Sequence, residues 1–497
     1  MDQGMSNERA IIDIGSNTLR LVIFDGPRRA PDVVHNEKVT ARLGKGVADG
    51  GQLTGKAMDV ALRALRRYAG LLELRGIPDV KTVATAAVRD AANGGQFLDA
   101  VRETGLSPRL LSGEEEALTS AAGIVGAFPG AKGVVADLGG GSLELVHVAG
   151  AVCERGASLP FGTLWLPQMR AEGPDRFARR VRKALVATEW HCTEGEALYL
   201  VGGSHRALAR LAMHQLDWPL DDPHGLELAT EAVQHVCRSA MRGGVPALLA
   251  GVSASRLAAL PDTAALLSVL LREVRPASVI FSAWGLREGL LYLTLDEAEK
   301  ARDPLIEGVG AFVASLGSAP ETGETVARWI ASPFAATTGE NRALRLTATM
   351  LILAAQHIEP NLRAAHALDW ALHKRWIGID EKGRAMIAAS VAGNTGRGDW
   401  PPELARLASQ EDLHTAHGWG LAIRLCRRFS ALSPAVLSRS ALGAGEGKLV
   451  LSFDPSLAPL VNDGTERDLR TLAEHLGLGP YLQPDPDRAG QGGETAP

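Results

Sequence analysis

A short glycine-containing segment that occurs twice constrains this chain more than any other feature. Residues 12–22 read IDIGSNTLRLV and residues 136–146 read ADLGGGSLELV, and the two segments align without a gap. Each has apolar residues before the glycines and alternating apolar residues after them, which predicts a strand, a tight turn and a second strand. A repeat at one constant offset indicates an internal duplication, so we expect two similar α/β halves.

Both predicted turns carry residue types that suit phosphate. Glycines let backbone N–H groups approach an anion, and hydroxyl or amide side chains add further donors. The candidate phosphate-binding residues are Gly15, Ser16, Asn17, Thr18, Gly139, Gly140, Gly141 and Ser142. Asp137 and Glu144 are candidate ligands of a divalent cation. An ordinary hairpin with a flexible turn would explain one copy alone, whereas two facing copies would hold one polyphosphate from both sides.

The composition is that of a globular protein with several domains. The chain has 497 residues, 46% of them hydrophobic and 22% charged. Domains average about 150 residues, so we expect about three. The formal net charge of −5 argues against general nucleic-acid binding. No run of about 18 apolar residues and no signal-peptide pattern is evident, so we expect no membrane partner and a cytoplasmic location.

Periodicity and composition divide the chain into four regions. We expect one α/β domain over residues 1–130, a second over 131–300, a mainly helical domain with a short β segment over 301–482 and a disordered tail over 483–497. In the second domain, the apolar spacing predicts two helices on either side of Pro261, over 253–260 and 264–274. The four cysteines have no metal-ligand spacing and are expected to be reduced thiols.

Six segments, in this order, resemble the exopolyphosphatase / guanosine pentaphosphate phosphohydrolase (Ppx/GppA) family. They are DIGSNTLR at 13–20, ATAAVR at 84–89, SGEEEA at 112–117, DLGGGSLE at 137–144, GGS at 202–204 and GLREG at 285–289. The resemblance implies an α/β fold of two RNase H-like domains of the actin-like ATPase superfamily, with the active site between them. It also implies an HD-related helical C-terminal domain and a homodimer.

The resemblance assigns roles to individual residues. Glu116 matches the catalytic glutamate, and a carboxylate is a sensible general base for water. Arg89, the second candidate catalytic residue, and Arg20 would clamp phosphate, since a guanidinium can engage two phosphoryl oxygens. Asp137, Glu144 and Asp13 would hold Mg²⁺ or Mn²⁺, and Gly202, Gly203 and Ser204 would line the far end of the cleft.

Ordinary structural explanations also fit three features of the sequence. The run Glu114-Glu115-Glu116 also fits a solvated acidic helix start, and Arg89 also fits an ion pair with Asp90. A basic segment over 176–183 fits either a polyphosphate track or a solvated helix face. Apolar Ile352 and Leu353 stand where HD-like relatives carry a His-acidic pair, so we expect no metal centre in the helical domain and a structural or polyphosphate-binding role for it.

The sequence therefore predicts an enzyme that releases terminal orthophosphate from inorganic polyphosphate by hydrolysis with a Glu-activated water. The alternative is a guanosine pentaphosphate 5′-phosphohydrolase, because both substrates present a terminal phosphoanhydride to the same turns. A non-catalytic polyphosphate or nucleotide sensor is a third possibility, although a pure binder needs no general base. Sugar kinases and chaperone ATPases share the fold but do not require the SGEEEA segment.

Overall fold

The computed structural model describes residues 8–188, 190–335, 341–396 and 399–490. The chain divides into two units. The first contains residues 1–218 and 222–304, and the second contains residues 219–221 and 305–497.

The first half of the first unit is built on a five-stranded sheet. Its elements are β1 (Arg9–Ile14), β2 (Leu19–Asp25), β3 (Asp32–Val39), α1 (Leu43–Gly50), α2 (Gly55–Arg75), β4 (Asp79–Ala84), α3 (Ala86–Arg89), α4 (Gly94–Arg102), β5 (Pro108–Leu110) and α5 (Gly113–Ala127). The strand order is β3-β2-β1-β4-β5, with β2 antiparallel to β1 and with β4 and β5 continuing in parallel. The apolar stripe of α2 packs on one sheet face, where Leu65 and Tyr68 are fully buried.

The second half repeats this plan. Its elements are β6 (Lys132–Leu138), β7 (Leu143–Ala149), β8 (Val152–Leu159), α6 (Leu166–Ala171), α7 (Pro174–Val186), β9 (Ala197–Val201), α8 (Gly203–Gln215), β10 (Glu227–Ala229), α9 (Thr230–Met241), α10 (Ala254–Val274), β11 (Ser278–Phe281), α11 (Leu286–Tyr292) and α12 (Glu297–Lys300). The strand order is β8-β7-β6-β9-β11, with β10 added at the edge. The duplication seen in the sequence is thus present in the topology of the two sheets.

Each half contributes one helix to a hydrophobic cluster of the other half. Ala117 and Ala121 of α5 pack on Val135 of the second sheet, whereas Leu290 of α11 packs on Ile11 of the first. Where α5 and α11 cross, glycines allow their backbones to touch. A Cβ on Gly289 would lie 1.8 Å from the carbonyl oxygen of Thr119, and a Cβ on Gly123 would lie 2.3 Å from that of Gly285. No other residue fits at these two positions without moving a backbone.

Helix α10 differs from the prediction, because it is one helix that contains Pro261 rather than two helices around it. Proline removes one intrahelical hydrogen bond, but buried side chains on both sides, including Leu260 and Leu266, keep the helix in the core. By length and hydropathy this one described helix is apolar enough to cross a membrane, with a mean hydropathy of 1.3. Its leucines pack inside the second half, which is the arrangement of a core helix.

The second unit is mainly helical. Its elements are α13 (Pro304–Ser315), α14 (Pro320–Trp329), α15 (Asn341–Ala354), α16 (Arg363–Leu372), α17 (Glu381–Thr395), α18 (Gln410–Ser430), α19 (Pro434–Leu437), β12 (Ser440–Gly445), β13 (Lys448–Phe453), α20 (Asp463–His475) and β14 (Gly479–Pro484). Ile352 and Leu353 are buried core residues of α15. His373 lies 3.5 Å from Asp221, which is distant from it in the sequence.

The start of the predicted disordered tail is wrong. Gln483 and Pro484 belong to β14, which pairs in parallel with β13, and a 3₁₀ turn follows over Pro486–Gly490. The backbone N–H of Asp485 also donates to the carbonyl oxygen of Phe453 at 2.8 Å. A segment rich in proline and aspartate is predicted to be disordered from its composition. Its strand pairing depends on β13, which composition does not report. Residues 491–497 lie outside the described residues.

Candidate active site

The two glycine turns meet at a cleft of about 260 Å³ between the halves of the first unit. A Cβ on Gly140 would lie 2.9 Å from the Cβ of Ser16, and one on Gly141 would lie 3.0 Å from its Oγ. The cleft is lined by all eight candidate turn residues, by Arg20, Asp13, Asp137, Glu144 and Glu116, and by Gly202, Gly203 and Ser204. All the predicted site residues except Arg89 therefore line this cleft.

The backbone of each turn is fixed by hydrogen bonds. The N–H of Gly15 donates to Thr18 at 3.1 Å, and the N–H of Gly139 donates to Ser142 at 3.0 Å, so these two N–H groups close their turns. Neighbouring segments brace the turns from outside. The N–H of Gly44 donates to Ser16 at 2.7 Å, and that of Thr163 donates to Gly139 at 3.1 Å. A turn that is already held in one conformation loses little freedom when an anion binds to its other polar groups.

The three consecutive glutamates at the start of α5 have different environments. Glu115 completes a capping box, in which its carboxylate accepts from the N–H of Ser112 at 2.8 Å while the Ser112 hydroxyl accepts from the N–H of Glu115 at 3.1 Å. Glu114 is exposed to solvent. Only Glu116 turns into the cleft. Both interpretations of this run therefore hold, for different residues. Glu114 and Glu115 form the acidic helix start, and Glu116 is the glutamate of the cleft.

Arg89 reaches the cleft through Glu116. Its Nη1 donates to Glu116 Oε2 and to the carbonyl oxygen of Leu111, each at 3.0 Å, and its Nε lies 3.5 Å from Asp90. Burial raises the pKa of Glu116 to about 7, Arg89 opposes this shift, and Asp137 and Asp13 add to it. The neighbouring Glu114 and Glu115 are not among the causes of this shift in pKa. A carboxylate with a pKa near neutrality is suited to accept a proton from water.

Three further carboxylates lie close to Glu116. Burial raises the pKa of Asp13 and of Asp137, and the pKa of Glu144 lies well above its ordinary value because of burial and of repulsion by Glu116 and Asp137. Hydroxyl groups that the sequence did not single out hold two of these carboxylates. Ser120 donates to Asp137, and Ser158 donates to Glu144 at 2.9 Å.

A cationic wall, defined as Arg20, Lys38, Arg206, Arg256 and Arg287, also lines the cleft. Burial, with repulsion from Arg287, lowers the pKa of Arg206 to about 9 and that of Arg20 to about 10. Sequence reasoning named only Arg20. Arg206 follows the GGS segment and Arg287 lies inside GLREG, so motif position could have indicated both. Arg256 has no comparable signal.

Gly202 and Gly203 form the start of α8 beside this wall. Gly202 has a φ of 101°, and a Cβ there would lie 2.5 Å from the carbonyl oxygen of Leu138, so both its conformation and its surroundings require glycine. A Cβ on Gly203 would lie 2.3 Å from Arg256 Nη2. The amino-terminal end of α8 and the Arg256 guanidinium therefore present positive charge to the same part of the cleft.

The carboxylate cluster fits a hydrated divalent cation better than an all-protein metal cage. Within the described ranges, no group of three His, Cys, Asp or Glu side chains is close enough to hold a metal. Mg²⁺ keeps several waters and is commonly bound by one or two carboxylates together with substrate phosphate oxygens. The buried, mutually repelling carboxylates of Asp137 and Glu144 match that mode of binding.

The basic segment on α7 does not line the cleft. Arg182 pairs with Glu273 at 2.7 Å, and Arg180 lies 3.6 Å from Glu172. Part of its positive charge is therefore neutralised within the protein, as expected for a solvated helix face.

Comparison with known proteins identifies relatives of the first unit. The Ppx/GppA phosphatase family profile matches residues 22–298. Exopolyphosphatase 1 of Mycobacterium bovis and that of Mycobacterium tuberculosis are each 28% identical over 340 residues, covering 62% of this chain and 95% of theirs.

Two solved structures resemble the same part of the chain. The Ppx/GppA family member of Aquifex aeolicus is 25% identical with a TM-score of 0.50, and it covers 57% of this chain and 96% of its own. An exopolyphosphatase from Cytophaga hutchinsonii has the same fold, with 24% identity, a TM-score of 0.52 and the same coverage.

The match begins at residue 22, after the first glycine turn, and includes the second glycine turn, Glu116 and most of the residues that line the cleft. The chain therefore belongs to the Ppx/GppA phosphatase family and is a phosphoanhydride hydrolase.

Proposed function

We propose that this protein is an exopolyphosphatase, which hydrolyses the terminal phosphoanhydride of inorganic polyphosphate and releases orthophosphate. One observation carries the choice of substrate. The cleft combines five carboxylates, Glu288 among them, with the five-residue cationic wall, and none of its described lining residues is aromatic. A chain of phosphates needs repeated cationic contacts, whereas a guanine base would gain affinity from a stacking surface.

In this proposal, the terminal phosphoryl group lies against the two glycine turns, whose N–H and hydroxyl groups donate to its oxygens. Glu116 accepts a proton from water as the water oxygen bonds to phosphorus and the bridging P–O bond breaks. The released end of the shortened chain carries the negative charge, and Arg20, Arg206 and Arg256 stabilise it. Arg89 holds Glu116 in position by the hydrogen bond between their side chains.

Asp137 and Glu144, with Asp13 beside them, would hold Mg²⁺ or Mn²⁺. Such an ion supplies charge neutralisation on the phosphate oxygens. Chelation should abolish phosphate release, and adding back Mg²⁺ should restore it. Full activity in the presence of excess chelator would contradict this part of the proposal. A homodimer, on the family resemblance, and a cytoplasmic location complete the proposal.

Parallel phosphate-release assays test the substrate. We expect a higher kcat/KM on long-chain polyphosphate than on guanosine pentaphosphate. A higher kcat/KM on the nucleotide would instead support the alternative function, guanosine pentaphosphate 5′-phosphohydrolase. If neither compound releases phosphate while both bind, the sensor function would replace the enzymatic one.

Replacing Glu116 tests the proposed base. Glu116→Gln should lower kcat by about 10²–10⁴-fold while polyphosphate binding is largely kept, because the amide cannot accept the proton. Glu114→Gln is the matched control on the same helix turn, since its side chain is exposed, and it should leave kcat unchanged. Equal rates for Glu116→Gln and the unmodified protein would refute the assignment.

A further inference from the structure

A second cavity, of about 680 Å³, lies entirely within the helical unit where α13, α14 and α15 meet. Among the described residues, its charged lining consists of Arg328 and Glu324 from α14 and of Arg342 and Arg345 from α15. The rest of the wall is aliphatic and includes Ile306, Leu346 and three alanines. We call it the arginine cavity.

The three arginines have no carboxylate partners in the described part of the chain. No ion pair joins Arg328, Arg342 or Arg345 to an acidic side chain there, and the Nε of Arg345 is buried without a hydrogen-bond partner. Burial lowers the pKa of Arg345, and the guanidinium of Arg342 lowers it further. Arg345 is half-buried, whereas Arg328, Arg342 and Glu324 are exposed. With one glutamate against three arginines, the described lining carries excess positive charge, and its cost falls mainly on Arg345.

The position of these arginines adds to that cost. Arg342 is in the first turn of α15, which contains no acidic residue, and Arg345 follows it three residues later on the same face. The amino-terminal end of a helix carries partial positive charge, so cations are unfavourable there and anions are favourable. A bound anion would offset both the helix dipole and the repulsion between the two arginines.

We propose that the arginine cavity binds an organic phosphate, an anion with two or more negative charges at one end and an apolar body at the other. The guanidinium groups would engage the phosphate oxygens in the bidentate manner that arginine favours. The aliphatic wall would cover the apolar body and exclude water from it. Inorganic phosphates would use only the arginine side of the cavity and bind more weakly. This inference is independent of the reaction at the cleft, because all its residues belong to the second unit.

Calorimetric titration of the full-length protein with ADP, pyrophosphate and adenosine tests the proposal. We expect the Arg342→Gln/Arg345→Gln variant to lose at least tenfold in affinity for ADP at this site relative to the unmodified protein. Pyrophosphate should bind more weakly than ADP, and adenosine more weakly still. The matched control is Arg467→Gln/Arg470→Gln, an exposed arginine pair with the same spacing on α20, and it should bind ADP like the unmodified protein.

Thermal unfolding without ligand separates a binding role from a structural one. If the arginines are kept for a ligand, the Arg342→Gln/Arg345→Gln variant should have a Tm at least as high as that of the unmodified protein, and ADP should raise its Tm less. A lower Tm without ligand, with the ADP effect unchanged, would overturn the proposal. Equal affinity of ADP for the unmodified protein and both variants would also overturn it, and pyrophosphate binding as tightly as ADP would refute the apolar half of the site.

Discussion

Glu116 should make phosphate release depend on pH near neutrality. Its pKa is raised to about 7 by burial, and the base must be ionised to accept a proton, so activity is lost as the pH falls through about 7. We expect kcat/KM on polyphosphate to rise about tenfold per pH unit below 7 and to level off above it. The profile should be measured from pH 5 to 9 at constant ionic strength.

The Glu114→Gln variant provides the control for this profile, since its side chain is exposed and it should keep the same half-maximal pH. Replacing Arg89 by Gln should shift the half-maximal pH upward, because Arg89 is the group that opposes the rise in the pKa of Glu116. A profile flat from pH 5 to 9 in the unmodified protein would contradict the role of Glu116 as base.

Individual site residues were predictable from sequence where the motif itself carries the chemistry. Asp137 and Glu144 flank a glycine turn, so local pattern alone placed them opposite each other in one hairpin. Ser158 and Arg256 were not predictable, because each reaches the cleft only through tertiary packing. A residue that is close to the site in space but distant in the chain leaves no local periodicity to detect.

The crossing of α5 and α11 should be intolerant of even one methyl group. Gly289→Ala would place its Cβ 1.8 Å from the carbonyl oxygen of Thr119, so the two helices must separate. We expect the variant to lose about 3 kcal/mol or more of unfolding free energy, since overpacking against backbone cannot be relieved by rotating a side chain. Denaturant unfolding followed by circular dichroism would measure the loss.

Gly70 offers the matched control for this substitution, because it lies in the middle of α2 with no atom within 4 Å of an added Cβ. Gly70→Ala should raise the unfolding free energy by about 1 kcal/mol, the helix-propensity difference between the two residues. Unchanged stability in Gly289→Ala would mean that the crossing is looser than its backbone contacts imply.

Helices with a clear apolar periodicity could be predicted from the sequence. Elements whose conformation depends on packing against neighbouring elements could not. The apolar spacing predicts a helix over 53–74, which is within two residues of α2 at either end. Short elements such as α1, α6 and β10 have too few residues to show a period. Helix α10 was divided at Pro261 because proline is a local signal, whereas the core packing that overrides it is not local.

Duplication followed by divergence explains how one cleft came to hold both signs of charge. Asp13 faces Arg20 across the first hairpin, whereas Asp137 faces Glu144 across the second. The equivalent position is therefore cationic in one copy and acidic in the other. At this position the first copy adds Arg20 to the cationic wall, whereas the second copy adds Glu144 to the carboxylate cluster.

Replacing Lys38 tests whether this residue of the cationic wall contributes to the affinity for a long polyanion. It lies on β3, is largely exposed and lines the cleft, and burial together with repulsion from Arg256 and Arg20 lowers its pKa. Lys38→Gln should raise KM for long-chain polyphosphate by about threefold at low salt, because one screened contact with the chain is lost. The dependence of log KM on log salt concentration should also become shallower.

Lys56→Gln is the control, since Lys56 is an exposed lysine in the first turn of α2 and does not line the cleft. It should change neither KM nor its salt dependence. Steady-state phosphate release at several salt concentrations would distinguish the variants. Lys38 is exposed on β3 and is not part of either glycine turn, so we expect it to contact phosphates beyond the terminal one. Its effect should then diminish as the polyphosphate is shortened. A loss of affinity that is equal for short and long chains would place Lys38 at the terminal phosphate instead.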